Sequence, residues 1–103
     1  MTSSSSPLET AIVTKIRSRL QGLGCWVVKL HGSSSQQRGL PDLIGCYNGR
    51  MFAFEVKRPG LVPTGLTLQA RTLMEIASSG AITAMITSPE EALDALRAAG
   101  LSI

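Results

Sequence analysis

Two acidic residues and a lysine are set at a spacing that could do chemistry: Pro41-Asp42, then twelve residues, then Glu55-Val56-Lys57. A hard divalent cation such as Mg²⁺ or Mn²⁺ prefers oxygen ligands, keeps several waters and is commonly held by one or two carboxylates together with substrate phosphate. Asp42, Glu55 and the backbone carbonyl of Val56 would make such a partial shell. A cation held there makes a coordinated water more acidic and neutralises charge on a phosphoryl transition state. Lys57 could orient or deprotonate the attacking water, or steady the developing charge. The chemistry this set would support is phosphodiester hydrolysis.

Spacing becomes a site only if the backbone brings these residues together. Leu40 to Tyr47 and Arg50 to Lys57 are strand-like runs joined by Asn48-Gly49, the pair that best suits a type I′ turn because both positions need positive φ. A two-residue turn fixes the register, since opposed residues must sum to 97: Tyr47 faces Arg50 and, further down, Asp42 faces Glu55. Opposed residues share a sheet face with Cβ atoms roughly 4.5–5.5 Å apart, and Lys57 shares the face of Glu55. Opposed like charges cost up to about 1 kcal/mol, a cost that a cation between them would offset. The alternative is a solvated hairpin face on which Lys57 makes an ordinary cross-strand ion pair.

The remaining elements follow from caps and periodicity. Ser6-Pro7-Leu8-Glu9 reads as a capping box with proline at the first helical position. Leu8, Ile12, Ile16 and Leu20 continue at helical spacing until Gly22 or Gly24 stops the helix. Cys25 to His31 predicts a first strand with Trp26 in the core, followed by a loop from Gly32 to Gly39. After a second loop from Pro59 to Gly65, Thr67 to Ser79 predicts a helix and Ala81 to Ile86 a fourth strand. Ser88-Pro89-Glu90-Glu91 repeats the cap signature ahead of a last helix ending at Gly100. The order is αβββαβα: an α/β fold with a central mixed sheet flanked by helices.

At 103 residues the chain has the size of one domain. Residues 1–6 are expected to be a disordered tail and 7–103 a single domain. A hydrophobic fraction of 44% with only 4% aromatics predicts an aliphatic core. The net charge of +3 permits a polyanionic partner without requiring one. Cys25 and Cys46 lack metal-site spacing and read as buried thiols in a reduced cytosolic setting. No apolar run approaches the roughly 20 residues that span a bilayer, so no membrane association is expected, nor is a nucleotide cofactor.

The segments Gly39-Leu-Pro-Asp-Leu-Ile-Gly45, Phe54-Glu-Val-Lys-Arg-Pro59 and Gly65-Leu-Thr-Leu-Gln69, with Glu9 early in the first helix, resemble the PD-(D/E)XK nucleases and, within them, the VRR-NUC (virus-type replication-repair nuclease) family. The resemblance spans about residues 7 to 100. It implies a restriction-endonuclease-like core and a Mg²⁺- or Mn²⁺-dependent, structure-selective DNA endonuclease. Its stand-alone viral and bacterial members imply a homodimer acting on branched DNA, Holliday (four-way) junctions above all, in DNA repair or a phage-infected cell. A flap, fork or restriction-like endonuclease, or a non-catalytic DNA-binding module, would share the same fold. Carried over to this chain, Asp42, Glu55 and Glu9 would bind metal, Lys57 would serve the water or the scissile phosphate, and Gln69 would support the site from the second helix. Glu9 could equally serve only the capping box, and Gln69 could be an exposed helix residue. Leu73 stands where many relatives have Tyr or Trp.

Several other residues could face DNA. Lys29, Arg38, Arg50, Arg58 and Arg71 lie near the proposed site along the chain or by pairing, and each could contact a phosphate or simply solubilise the surface. His31 is the only histidine and reads as a DNA-contacting or strand-end residue ahead of a general base. Ser33, Ser34 and Ser35 have no His/Asp relay and fit a loop following the DNA backbone better than nucleophiles. Tyr47 beside the turn is either exposed or stacked on a partner. Symmetric incision of a four-way junction needs two sites, and apolar residues of the last helix or the fourth strand are candidates for the dimer interface.

Overall fold

The computed structural model describes residues 7–30 and 37–103. Its elements are α1 (Pro7–Gly22), β1 (Trp26–Lys29), β2 (Leu43–Tyr47), β3 (Arg50–Val56), α2 (Leu68–Ser78), β4 (Ile82–Ile86) and α3 (Pro89–Ala98). The four strands form one sheet in the order β1-β2-β3-β4, antiparallel except for the parallel β3–β4 pair. The expected α/β order and mixed sheet are therefore present.

The hairpin has the expected register. Asn48 and Gly49 adopt φ of 48° and 80°, the two positive values a type I′ turn requires. Tyr47 pairs with Arg50 and Leu43 with Phe54. Caps set the helix ends: Thr67 Oγ1 accepts from the Ala70 amide at 3.1 Å to start α2, and Ser88 Oγ accepts from the Glu91 amide at 3.2 Å to start α3. The Glu91 carboxylate in turn accepts from the Thr87 amide, one residue ahead of the usual capping-box partner. The proposed cap at Ser6 lies outside the described residues.

Strand alternation divides the molecule into two layers. Phe52, Phe54 and Val56 face α1 and α3 and join Val13, Ile16, Leu20, Leu43, Ile82, Ile86, Leu93 and Leu96 in the main core. The Phe52 and Phe54 rings stack with centroids 5.0 Å apart. Ala53 and Glu55 are buried too, on the other face, where α2 packs on β3 and β4 and buries Thr72 and Leu73. Five consecutive buried residues on β3 are what a strand covered on both faces produces.

Three expectations need correction. Trp26 is 58% exposed, because Cys25 and Val27 take the inward positions and alternation turns Trp26 outward. The large apolar residues of α3 and of both ends of β4, candidates for an interface, are taken up by the core: Leu93, Leu96, Ile82 and Ile86 are buried, while Ala84 and Met85 of β4 stay half-buried. Arg50 stands at the turn end of the sheet, remote along β3 from Glu55, where its guanidinium donates to the Ala99 carbonyl. Cys25 is buried, with burial first and Cys46 second pushing its thiol pKa up, and Cys46 is half-buried. Tyr47 packs against the core edge. No helix among the described residues is long and apolar enough to cross a membrane.

Candidate active site

Glu55 sits one residue from the end of β3 and points to the α2 face, opposite to Phe54 and Val56. It is only 5% exposed. Lys57 Nζ approaches its Oε2 to 3.3 Å, while Oε1 is buried with no hydrogen-bond partner. Burial disfavours the charged form first, the Asp42 carboxylate adds to that, and Glu9 contributes least; the attraction of Lys57 opposes them. The net effect pushes the Glu55 pKa up to about 7.

Asp42 reaches this site by a different contact from the expected cross-strand pair. β2 begins only at Leu43, after Pro41, which has no N–H to give to a ladder. Asp42 instead closes the sheet end twice. Its backbone carbonyl accepts from the Leu30 amide at 2.8 Å, and its Oδ2 accepts from the Val56 amide at 2.8 Å. The carboxylate therefore replaces the next rung between β2 and β3, while the Lys57 amide turns to the Ile86 carbonyl on the β4 side at 2.9 Å.

Glu9 lies half-buried in the first turn of α1, near enough for its charge to act on Glu55. Yet among the described residues no three His, Cys, Asp or Glu side chains converge as a metal cage. The expected ligand set of Glu9, Asp42, Glu55 and Val56 is thus not assembled as a closed group.

The approach to Asp42 is seated on α2. Gly39 has φ of 81°, and a Cβ there would lie 2.5 Å from Leu68 Cγ and 3.1 Å from Thr72 Oγ1. Sequence reasoning named this glycine within the Gly39-Leu-Pro-Asp segment but gave it no packing role; its place three residues ahead of the aspartate was the available signal. The contact brings the Gly39-Leu-Pro-Asp segment against the start of α2, where Gln69 is the second residue and half-buried.

Lys29 ends β1, next to the Leu30 amide that bonds Asp42, and is half-buried. Arg38 is exposed ahead of Gly39, Arg58 follows Lys57, and Arg71 is exposed in the first turns of α2. All four flank the same end of the sheet as Asp42 and Glu55. His31 and Ser34 lie outside the described residues. A shallow depression lined by Gly49, Arg50, Met51, Ile76 and Gly80 lies at the opposite, turn end.

Comparison with known proteins agrees with this architecture. A solved structure described as a VRR_NUC domain matches with a TM-score of 0.71 and 24% identity, covering 93% of this chain and 100% of that one. The Holliday junction resolvase Hjc of the archaeal hyperthermophile Archaeoglobus fulgidus matches with a TM-score of 0.60 and 20% identity, covering 77% of this chain and 67% of that one. Both are likenesses of fold. No curated protein sequence matches. A family model of archaeal Holliday junction resolvases (Hjc) matches residues 11–82, a span that holds Asp42, Glu55, Lys57 and Gln69 but not Glu9. The match covers well over half of the chain, which therefore belongs to the archaeal Holliday junction resolvase family, a family of nucleases.

Proposed function

We propose that residues 7–103 form one divalent-metal-dependent DNA endonuclease unit that hydrolyses phosphodiester bonds at four-way junctions as a homodimer. The observation that carries this is Glu55: a carboxylate buried to 5% exposure, with Oε1 unpartnered and Lys57 on Oε2. An orphaned buried oxygen costs on the order of 1–3 kcal/mol. A hard cation would satisfy it, and a second carboxylate, Asp42, is held at the same sheet end.

Asp42, Glu55 and the Val56 carbonyl are the groups that would hold Mg²⁺ or Mn²⁺, with Glu9 reaching the site from α1. When bound, the cation supplies charge neutralisation on the scissile phosphate and a more acidic water. The chain's own residues do the positioning. The Val56 amide fixes Asp42, so the carboxylate does not have to be ordered during the reaction. Lys57, held at Glu55 by the ion pair, orients the attacking water and steadies negative charge on the phosphate. Gln69, on the first turn of α2, supports that water. Lys29, Arg38, Arg58 and Arg71 would grip flanking phosphates, contacts that add affinity without reading sequence.

Two symmetric incisions call for two copies of the site. The face of β1 and β2 that carries Trp26, Val28, Ile44 and Cys46, continued by Met51 on β3, lies on the same side of the sheet as Glu55. Trp26 and Met51 are 58% and 46% exposed there, and α2 packs on β3 and β4. An exposed tryptophan amid apolar neighbours is the composition of an interface core, and this face is the proposed seat of the second copy. The test is a substrate panel of four-way junction, flap and linear duplex with Mg²⁺ or Mn²⁺. Junction is expected to be cut fastest; equal cutting of linear duplex would overturn the structure-selective reading.

A further inference from the structure

The segment between β3 and α2 leaves the site one residue after Lys57 and returns to it at Leu68, which packs against Gly39 just ahead of Asp42. It is therefore anchored at the site by both ends. Its tip is apolar and uncovered: Leu61 is 52% exposed, Val62 43% and Leu66 58%. Exposed apolar side chains are common singly, but two leucines and a valine within six residues on the rim of the candidate site are not explained by the core.

The tip is also built. The Leu61 amide donates to the Arg58 carbonyl at 3.0 Å, and Gly60 adopts φ of 82°. With Pro59 between them, this is a type II turn, proline at its second position and glycine with positive φ at its third. Pro63 then restrains the far side of Val62. The backbone cost of presenting Leu61 and Val62 is thus met in the free protein.

Resting on the nuclease reading above, we propose that Leu61 and Val62 form an apolar wedge that packs on unstacked base faces at the branch point and so sets the preference for junctions. The outer surface of an intact duplex offers phosphates and sugars to such a tip, and burying Leu and Val against them gains little. Base faces are apolar, and they become accessible where strands exchange; inserted aliphatic side chains are a general device for holding such steps open. Arg58, at the base of the turn, and Lys57 before it supply the cationic flank that brings a polyanion to this rim.

The test uses the full chain carrying Leu61→Ser with Val62→Ser, both exposed positions, beside Leu61→Phe. Affinities for a four-way junction and for linear duplex are measured without divalent metal, together with fluorescence of 2-aminopurine placed at the branch point. The double variant is expected to lose roughly tenfold in junction affinity, equivalent to 1.4 kcal/mol, with duplex affinity unchanged. The fluorescence rise expected with the wild type should vanish in the double variant, and Leu61→Phe should retain both properties. An unchanged junction-to-duplex ratio in the double variant overturns the wedge while leaving the nuclease reading intact. Dissociation of the double variant to monomer, by sedimentation, would assign the tip to a protein interface and also overturn it. A wild type with no junction preference overturns both readings.

Discussion

Asp42 Oδ2 accepts a hydrogen bond from the Val56 amide at 2.8 Å, so the carboxylate that precedes β2 is fastened to the backbone between Glu55 and Lys57. One contact ties the two halves of the motif together, and it makes Asp42 a structural residue as well as a proposed metal ligand. The two roles are separable. Asn at 42 keeps an oxygen for the amide but loses the charge; Ala loses both. Asp42→Asn should lower metal-dependent cleavage at least ~100-fold with little change in Tm. Asp42→Ala should in addition cost about 1–3 kcal/mol for the orphaned amide, read as a Tm fall of roughly 4–8 °C per kcal/mol.

Glu55 should make stability, and the proposed metal binding, depend on pH. Its pKa in the folded protein is raised to about 7 from an ordinary 4.5. For an acid raised on folding, the stabilising contribution is fully present below the unfolded pKa and is lost as pH rises through the folded one. Without metal, the Glu55 contribution should therefore lower Tm as pH climbs from about 4.5 to about 7 and then level off, and Glu55→Gln should raise Tm at pH 8, by differential scanning calorimetry in chelator. Because protons compete with the cation, Mn²⁺ affinity by calorimetry should weaken about tenfold from pH 8 to pH 6.

Lys57 lowers the Glu55 pKa by attraction and by its hydrogen bond, against burial and Asp42. Lys57→Met removes that pull. Cleavage should be lost while junction binding persists, and the pH midpoint for Mn²⁺ binding should move upward. A variant that cleaves at the wild-type rate would remove Lys57 from the chemistry.

Packing beneath the sheet also allows a prediction. A Cβ at Gly45 would collide with the Phe52 ring and the Trp26 carbonyl, one of them backbone and the other in the main core. Gly45→Ala should destabilise by about 1–3 kcal/mol, measured by urea unfolding, with β2–β3 register the element disturbed.

For the apolar sheet face, Trp26→Asp with Met51→Asp should convert the proposed dimer to monomer in sedimentation without unfolding the chain, since both side chains are exposed. A monomeric wild type, or a double variant that remains dimeric, would place the second copy elsewhere.

Much of this architecture could be read from local chemistry. Asn48-Gly49 set the hairpin register because only a turn with two positive φ values fits those residues. Ser88 announced the last helix because its hydroxyl caps an orphan amide, and apolar residues at helical spacing announced α2. What escaped was non-local. A four-residue strand such as β1 carries too few positions to fix the phase of its alternation, so Trp26 was expected inside. Placement of Asp42 depended on a side-chain bond to Val56 that no pairing rule contains. Glu9 was reached only through the family resemblance, because the docking of α1 beside β3 is settled by the core and not by the helix's own sequence, and His31 and Ser34 lie outside the described residues.

The most direct measurement is cleavage of a labelled four-way junction by wild-type protein and by Asp42→Asn, with Mg²⁺ and with chelator. Paired symmetric incisions by the wild type that require the metal and disappear in Asp42→Asn are predicted. Incision in chelator, or Asp42→Asn cutting at the wild-type rate, would contradict a metal site built on Asp42 and Glu55.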